Sequence, residues 1–347
     1  MPVLIARAPV RISLAGGGTD LEAYYSRWAG AVVSATIDKY FYVFVSPAQG
    51  DHIQVSSSDY RTFVRQRYDQ PPMWDGDLRL PRTVIHHFGV RTGLSVFLAS
   101  QVPPGTGLGS SSTVAVALIK AMAVLTGRQL SRREVADLAC DIEIERLGMP
   151  IGKQDQYAAA FGGLNYMEFG PDGVRVEPLD MPAEAERRLE QRLLLFYTGR
   201  WHDSSRILGE QRRRSERDGG PAVEALHRIR ETATHLRTAL MAGDVGAVGD
   251  LLHRSWLAKR RLARGISDAV IDGWYDLALS SGAAGGKLTG AGGGGFLLLY
   301  CEPERQAALT SALHAAGLHR MDFRFESGGG MVIMNNLVRP VPLAVNG

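Results

Sequence analysis

The sequence predicts an α+β fold in two domains, residues 1–190 and 191–347. Three observations carry that prediction. The chain has 347 residues, of which 45% are hydrophobic, so it is long and apolar enough for two cores. Helix-like and strand-like stretches are grouped, and the last part sets helices beside a small antiparallel set of strands. A charged stretch at 183–192 separates the two halves.

Taken in order, residues 3–14 (VLIARAPVRISL) and 31–46 (AVVSATIDKYFYVFVS) are rich in Val, Ile, Phe and Tyr and predict strands. AGGGTD between them reads as a loop, with LEAYYSRW as a helix after it. Residues 94–102 (LSVFLASQV) predict a strand that runs into PPGTGLGSSS. Helices follow at 111–126 and 132–147. The first repeats Val114, Leu118, Ala121 and Leu125 at helical steps. The second opens on Ser131 and Glu134 as a capping box and closes at Gly148 before Pro150. Strands at 162–169 and 174–179 close the first half. The second half starts on LLLFYTG as a strand, with helices at 203–215, 221–242, 244–263 and 267–281. It ends on strand GGFLLLYCE, helix 303–316 and strands FRFES and GMVIMNN. There is no fixed-period repeat.

Composition narrows the function. With 39 basic and 36 acidic residues the net charge is +3, which gives no electrostatic case for nucleic acid or a membrane surface as partner. Arg7 and Arg11 interrupt the apolar N-terminus, unlike a signal peptide, and no apolar run approaches the roughly 18 residues of a membrane span. Cys140 and Cys301 sit in apolar surroundings, so a disulfide framework is not expected and the setting reads as reducing and cytoplasmic. The nine histidines lack metal-ligand spacing. RWHDSS at 200–205 places Ser, His and Asp too close for a hydrolase triad; it reads as a loop into a helix N-cap near the cleft.

The chemistry is concentrated in three glycine-rich turns. In PPGTGLGSSS a loop feeds the first turn of a helix, whose free N–H groups and dipole suit an anion. Gly105, Gly107 and Gly109 let the main chain approach a ligand, Pro104 and Leu108 are expected at the phosphates with them, and Ser110, Ser111 and Ser112 supply hydroxyls. The stretch therefore reads as a phosphate cradle. It is not a Walker A loop, since GKLTG at 286–290 follows Lys287 with Leu288 and puts Ser281 in the first glycine's place. GTGLG also lacks the dinucleotide-binding spacing. The other two turns are RAPVRISLAGGGTD at 7–20 and GGKLTGAGGGGFLLLY at 285–300.

Together, in this order and spacing, PPGTGLGSSS, RAPVRISLAGGGTD and KLTGAGGGG resemble the ATP-phosphate, N-terminal and C-terminal motifs of the GHMP kinases. That family includes galactokinase, homoserine kinase, mevalonate kinase and phosphomevalonate kinase. The resemblance covers about residues 5–335. It implies a ribosomal S5 domain 2-like N-terminal domain, a ferredoxin-like C-terminal domain, ATP and Mg2+. GGGTDLEAYY, ATIDKY, GKQDQYAAAFGGLN and KLTGAGGGGF are most similar to the branch that phosphorylates O1 of D-glycero-D-manno-heptose 7-phosphate to the 1,7-bisphosphate, for nucleotide-activated heptose synthesis. Fucokinases and kinases for longer sugar phosphates, such as an octose 8-phosphate, share much of this wording. A sugar- and ATP-sensing regulator without turnover is the non-enzyme alternative. Gly17 and Gly18 stand where galactokinases have Glu-His, which argues against galactose.

The resemblance also implies roles. Asp155 in PIGKQDQY matches the family's base, with a helix N-cap as the alternative. Arg11 matches the arginine that neutralises developing charge. Ser111 matches the hydroxyl that shares Mg2+, with Ser110 as fallback. Glu143 matches the Mg2+ carboxylate; Glu145 is equally acidic, but on a helix the two point about 200° apart, so only one faces a site. Gly17, Gly18, Thr19, Asp20, Lys153, Gly292 and Gly293 are expected at the sugar. For a distal phosphate the run HRSWLAKRRLARG offers Arg254, Lys259, Arg260, Arg261 and Arg264 without selecting one. The chain is expected to be a monomer or homodimer acting on a small sugar phosphate.

Overall fold

The first predicted strand forms as β1 (Leu4–Ala15) in the computed structural model, which describes residues 2–58, 62–70, 76, 78–200, 204–216 and 220–337. From Ala8 onward every residue of β1 is buried, so both of its faces are packed. On one side it pairs with β2 (Gly30–Pro47) and on the other with β12 (Met331–Asn335). The sheet continues from β2 through β5 (Leu94–Ser100) and β3 (His52–Ser57) to β4 (Thr62–Arg67). The long β2 serves two further partners in succession. Its Gly30–Ala35 half pairs with β6 (Leu164–Gly170), which carries β7 (Gly173–Pro178), and its Phe41–Pro47 half pairs with β5.

A second, antiparallel sheet runs β11 (His319–Met321), β8 (Leu193–Tyr197), β10 (Phe296–Cys301), β9 (Ala283–Leu288). The helices of the first half are α1 (Glu22–Trp28), α2 (Arg79–His87), α3 (Ser110–Leu125), α4 (Arg132–Cys140) and α5 (Gln154–Phe161). Those of the second are α6 (Ala183–Arg192), α7 (Ser204–Ser215), α8 (Pro221–Met241), α9 (Val248–Lys259), α10 (Ala269–Ser280) and α11 (Gln306–Ala315). The α+β class is as the sequence predicts. The division at 190/191 falls inside α6, and β12 from the chain's far end returns to the first sheet.

Packing explains why the site lies where it does. One core sets Val116, Ile119 and Met122 of α3 against Leu4, Val43 and Val96 of the first sheet. A second joins the two halves, with Val10, Ile12 and Leu14 of β1 against Leu236 and Leu240 of α8 and Leu195 and Leu298 of the second sheet. Each fully buried side chain of this kind contributes about 1.5–3 kcal/mol. Because strand side chains alternate, those three apolar residues commit Arg11 and Ser13 to the opposite face. That face opens on a cleft between the halves.

Several elements differ from the sequence reading. The β3–β4 pair, α2, β9 and β11 were not anticipated. FRFES at 323–327 forms no strand beyond a single bridge from Phe325 to Ile37. Around that bridge Glu326 N donates to Thr36 O at 3.0 Å and Asp38 N to Arg324 O at 2.9 Å, but Phe325 N donates to Glu190 Oε2 at 2.6 Å and Arg324 N to Asp38 Oδ1 at 3.0 Å, so the ladder goes no further. The helix expected over 132–147 is α-helical only to Cys140 and continues as a π-helix from Asp141 to Arg146, with Leu147 N donating to Ile142 O. The helix expected over 244–263 opens on a 3-10 turn (Val245–Ala247) and stops at Lys259. Half of the RWHDSS reading, residues 201–203, lies outside the described residues. No described helix is long and apolar enough to cross a membrane.

Candidate active site

The cleft of about 440 Å³ is lined from four directions: the end of β1 with its 16–20 loop, the 103–112 turn into α3, the 149–155 segment, and α7, Lys259 and the 287–291 turn of the second half. Glycine makes this convergence possible. Gly107 has φ +78°, and a Cβ there would stand 2.6 Å from Thr289 O. Gly109, the αL residue before α3, has φ +80° and would push a Cβ to 3.2 Å from Asp155 Oδ2. Thr289 Oγ1 donates to Thr106 O at 3.1 Å, tying the two glycine turns together.

No side chain caps the N-terminus of α3. The N–H groups of its first turn therefore remain directed outward, next to Ser110, Ser111 and Ser112, which line the cleft with Pro104, Gly105, Gly107 and Gly109. Ser110 Oγ is buried without a hydrogen-bond partner. This is the arrangement expected of an anion cradle. Leu108 departs from its expected place: its side chain is buried, and its carbonyl accepts from Arg11 N at 3.0 Å.

Arg11, 4% exposed, meets Asp155 at the cleft wall. Its Nε donates to Asp155 Oδ1 at 2.7 Å and its Nη2 lies 2.5 Å from the same oxygen, while Nη1 donates to Gly107 O at 2.7 Å. Asp155 occupies the first turn of α5, whose N-cap is Lys153, so the N-cap alternative for Asp155 falls. Asp20 is also turned to the cleft. It accepts from Gly18 N at 2.9 Å, Gln154 N at 3.2 Å and Gln154 Nε2 at 3.3 Å. Burial raises its pKa, with the Asp155 carboxylate adding to the rise.

The π-helical turn faces Glu143 inward, 0% exposed, and leaves Glu145 exposed. Ser111 Oγ donates to Glu143 Oε1 and Gln156 Nε2 to its Oε2, each at 2.8 Å. Burial pushes the carboxyl up to about 7, opposed by the hydrogen bonds from Ser111, Ser112 and Gln156. No cation pairs with Glu143 among the described residues, and none of these residues form a cluster of three His, Cys, Asp or Glu. One carboxylate and one hydroxyl are hard oxygen donors of the kind Mg2+ takes together with phosphate oxygens and water, so the donor set fits that ion.

Four expected sugar contacts lie elsewhere. Thr19 Oγ1 donates to Gly16 O and Ala31 O and accepts from Ala31 N, so it closes the loop instead of lining the cleft. Lys153 Nζ lies 5.1 Å above the Tyr25 ring, away from the cleft lining. Gly292 and Gly293 pack on Ile266, whose carbonyl accepts from Gly293 N at 2.9 Å; Gly290 and Ala291 line the cleft in their stead. Gly17 and Gly18 do line it.

Of the basic run only Lys259 reaches the cleft. Arg254 pairs with Asp250 and Arg260 with Asp272. Lys259 is 6% exposed, and burial, with Arg11 nearby, pushes it down to about 7. Lys287, Ser13, Gln154 and Gln211 also line the cleft and were not singled out by the sequence.

Comparison with known proteins agrees with this geometry. Residues 79–163 match the GHMP kinases N terminal domain and residues 236–318 the GHMP kinases C terminal domain. The chain is 33% identical over 335 residues to D-glycero-alpha-D-manno-heptose 7-phosphate kinase of Campylobacter jejuni, covering 95% of this chain and 98% of that one. It superposes on a D-glycero-D-manno-heptose 1-phosphate kinase from Bacteroides thetaiotaomicron with TM-score 0.78 and 29% identity, covering 95% and 99% of the two chains. A sugar kinase structure from Campylobacter jejuni matches with TM-score 0.78 and 31% identity over 96% and 98%.

Proposed function

We infer, because the chain belongs to the GHMP kinases and is a sugar kinase, that its cleft transfers the γ-phosphoryl group of ATP to O1 of D-glycero-D-manno-heptose 7-phosphate, giving the 1,7-bisphosphate. The observation that carries the kinase chemistry is the uncapped N-terminus of α3 beside the Arg11–Asp155 pair in one cleft. The choice of substrate rests on the nearly full-length likeness to the Campylobacter jejuni enzyme.

In this reading the main chain at 105–112 and the serines hold the triphosphate, and the 16–20 loop with Asp20 receives sugar hydroxyls. Asp155 accepts a hydrogen bond from the acceptor hydroxyl, orients it and takes its proton as the new bond to phosphorus forms. Arg11 offsets negative charge on the transferring group while holding Asp155 in place. Transfer through a loose transition state asks for little more than such alignment and charge balance. Glu143 and Ser111 would hold Mg2+, which when bound neutralises charge on the phosphate oxygens. Ser111→Ala is then expected to raise the Mg2+ concentration needed for half-maximal turnover by about tenfold. A titration indistinguishable from wild type would transfer the role to Ser110.

The direct test is product analysis. Purified protein is given ATP, Mg2+ and, separately, heptose 7-phosphate, heptose 1-phosphate, octose 8-phosphate, free heptose, fucose and galactose. Heptose 7-phosphate should be turned over, and phosphorus NMR of the product should show a new resonance coupled to the anomeric proton. Phosphorylation of heptose 1-phosphate at the other end would reverse the position. Turnover of fucose alone would discard the substrate while leaving the kinase.

A further inference from the structure

We propose that Lys259 and Lys287, with Ser13 and Gln211, form the site for the substrate's non-reacting phosphate. This rests on the sugar-phosphate reading above and names the residues that make it selective for a phosphorylated sugar. Both lysines line the cleft while being 6% and 2% exposed. Burying an ammonium is costly unless an anion meets it. Yet neither is in an ion pair among the described residues; their contacts are backbone carbonyls. Lys287 Nζ reaches Leu14 O at 3.5 Å, and Lys259 Nζ reaches Leu288 O at 3.4 Å and Gly290 O.

Two more donors point to the same missing partner. Ser13 Oγ and Gln211 Nε2 are buried, line the cleft and have no hydrogen-bond partner. Gln211 is 2% exposed and its amide nitrogen lies against Gly18, where a Cβ would come within 2.4 Å of it. Ser13 Oγ would similarly be 3.3 Å from a Cβ on Gly17. Two lysine amines, an amide and a hydroxyl can all donate, which suits the several oxygens of a phosphate monoester dianion.

The donor sets differ from those of the nucleotide, although Lys259 comes near it: its Nζ reaches Gly290 O, and Gly290 packs on Gly107 of the phosphate turn. The triphosphate has its own donors at the first turn of α3, on the first half of the chain. Lys259, Lys287 and Gln211 come from the second half, and Lys287 at Leu14 and Gln211 at Gly18 flank the end of β1, where Ser13 sits, and the 16–20 loop. Lysine is also suited to this task, since a point charge with three donors tolerates the rotations of a terminal phosphate. Arg254 and Arg260 of the same run pair on the surface with Asp250 and Asp272, and Arg261 and Arg264 are exposed, which explains why the run could not be resolved by charge alone.

The test compares wild type with Lys259→Met, Lys287→Met and Gln211→Glu, measuring kcat and KM for heptose 7-phosphate and for ATP. Inhibition by inorganic phosphate is measured alongside, and calorimetric ATP binding reports an intact fold. Losing one charge-assisted contact should raise the KM for heptose 7-phosphate about 10- to 100-fold and weaken phosphate inhibition in step. The KM for ATP should stay within about twofold, and Gln211→Glu, which sets a carboxylate against the phosphate, should act in the same direction. Variants that raise the KM for both substrates together would place the lysines on the transferred phosphoryl group and overturn the proposal. Unchanged KM values would overturn it as well. Wild type that turns over only unphosphorylated sugars would instead remove the underlying substrate reading.

Discussion

Asp155→Ala should lose about 10²- to 10⁴-fold in kcat while still binding ATP. The expectation follows from where the carboxylate stands. It lies in the cleft wall, held through one oxygen by the Nε and Nη2 of Arg11, beside the turn into α3. Its other oxygen, Oδ2, would touch a Cβ on Gly109, so any larger residue there would crowd the carboxylate. Removing it takes away the acceptor for the substrate's proton and leaves Arg11 anchored only through Gly107 O. The charge on the arginine remains, so the nucleotide should bind at least as well as before. Asp155→Asn divides the role further. If it recovers most of the rate, orientation of the hydroxyl is the contribution; if it is as slow as Asp155→Ala, proton acceptance is. Steady-state rates with calorimetric ATP titrations decide it, and a near-normal kcat for Asp155→Ala would remove the residue from the mechanism.

The motifs were legible in the sequence because each depends on local chain geometry. A turn that must approach another turn within van der Waals distance needs glycine, and Gly107 against Thr289 and Gly290 shows both halves of that requirement. Arg11 and Asp155 are 144 positions apart in the chain and still recognisable, because each sits inside a motif of fixed local shape. Which side chains face the cleft was less visible. Thr19 and Asp20 are adjacent in one loop, yet backbone carbonyls capture the first and the cleft takes the second. Lys287 lies in a strand the sequence reading missed, since Ala, Gly and Lys give AAGGKL little strand propensity; pairing with the apolar β10 makes it a strand. Glu143, which the resemblance favoured, is turned inward and Glu145 outward, within a π-helical turn that no spacing rule for an α-helix contains. FRFES shows the converse: a period-two pattern that pairs with β2 only around Phe325 and Ile37, while the N–H groups of Arg324 and Phe325 go to the Asp38 and Glu190 side chains.

Glu143→Gln should make the protein more stable above neutral pH and much less active, and the two effects have one cause. The wild-type carboxyl is pushed up to about 7 against an ordinary 4.5, chiefly by burial. A group that holds its proton more tightly in the fold contributes its full stabilisation below pH 4.5 and loses it as pH rises to about 7. Some two and a half pH units at about 1.36 kcal/mol each put that loss near 3 kcal/mol as an upper bound. A glutamine keeps the shape and cannot ionise. Its amide nitrogen is also accommodated, since Gln156 Oε1 is buried without a partner and an amide flip turns it toward position 143. The stability difference between variant and wild type should therefore grow by at most about 2.5 kcal/mol between pH 5 and pH 8, read from denaturation midpoints. Mg2+ with ADP should restore much of the wild type's stability at pH 8, because an ion meets the buried charge, and should do little for the variant. Turnover of the variant should fall by at least about 100-fold at every Mg2+ concentration tested. A variant that follows the wild-type pH profile would show that Glu143 is not the group titrating. One that is stabilised yet fully active would show that the buried carboxylate serves no metal.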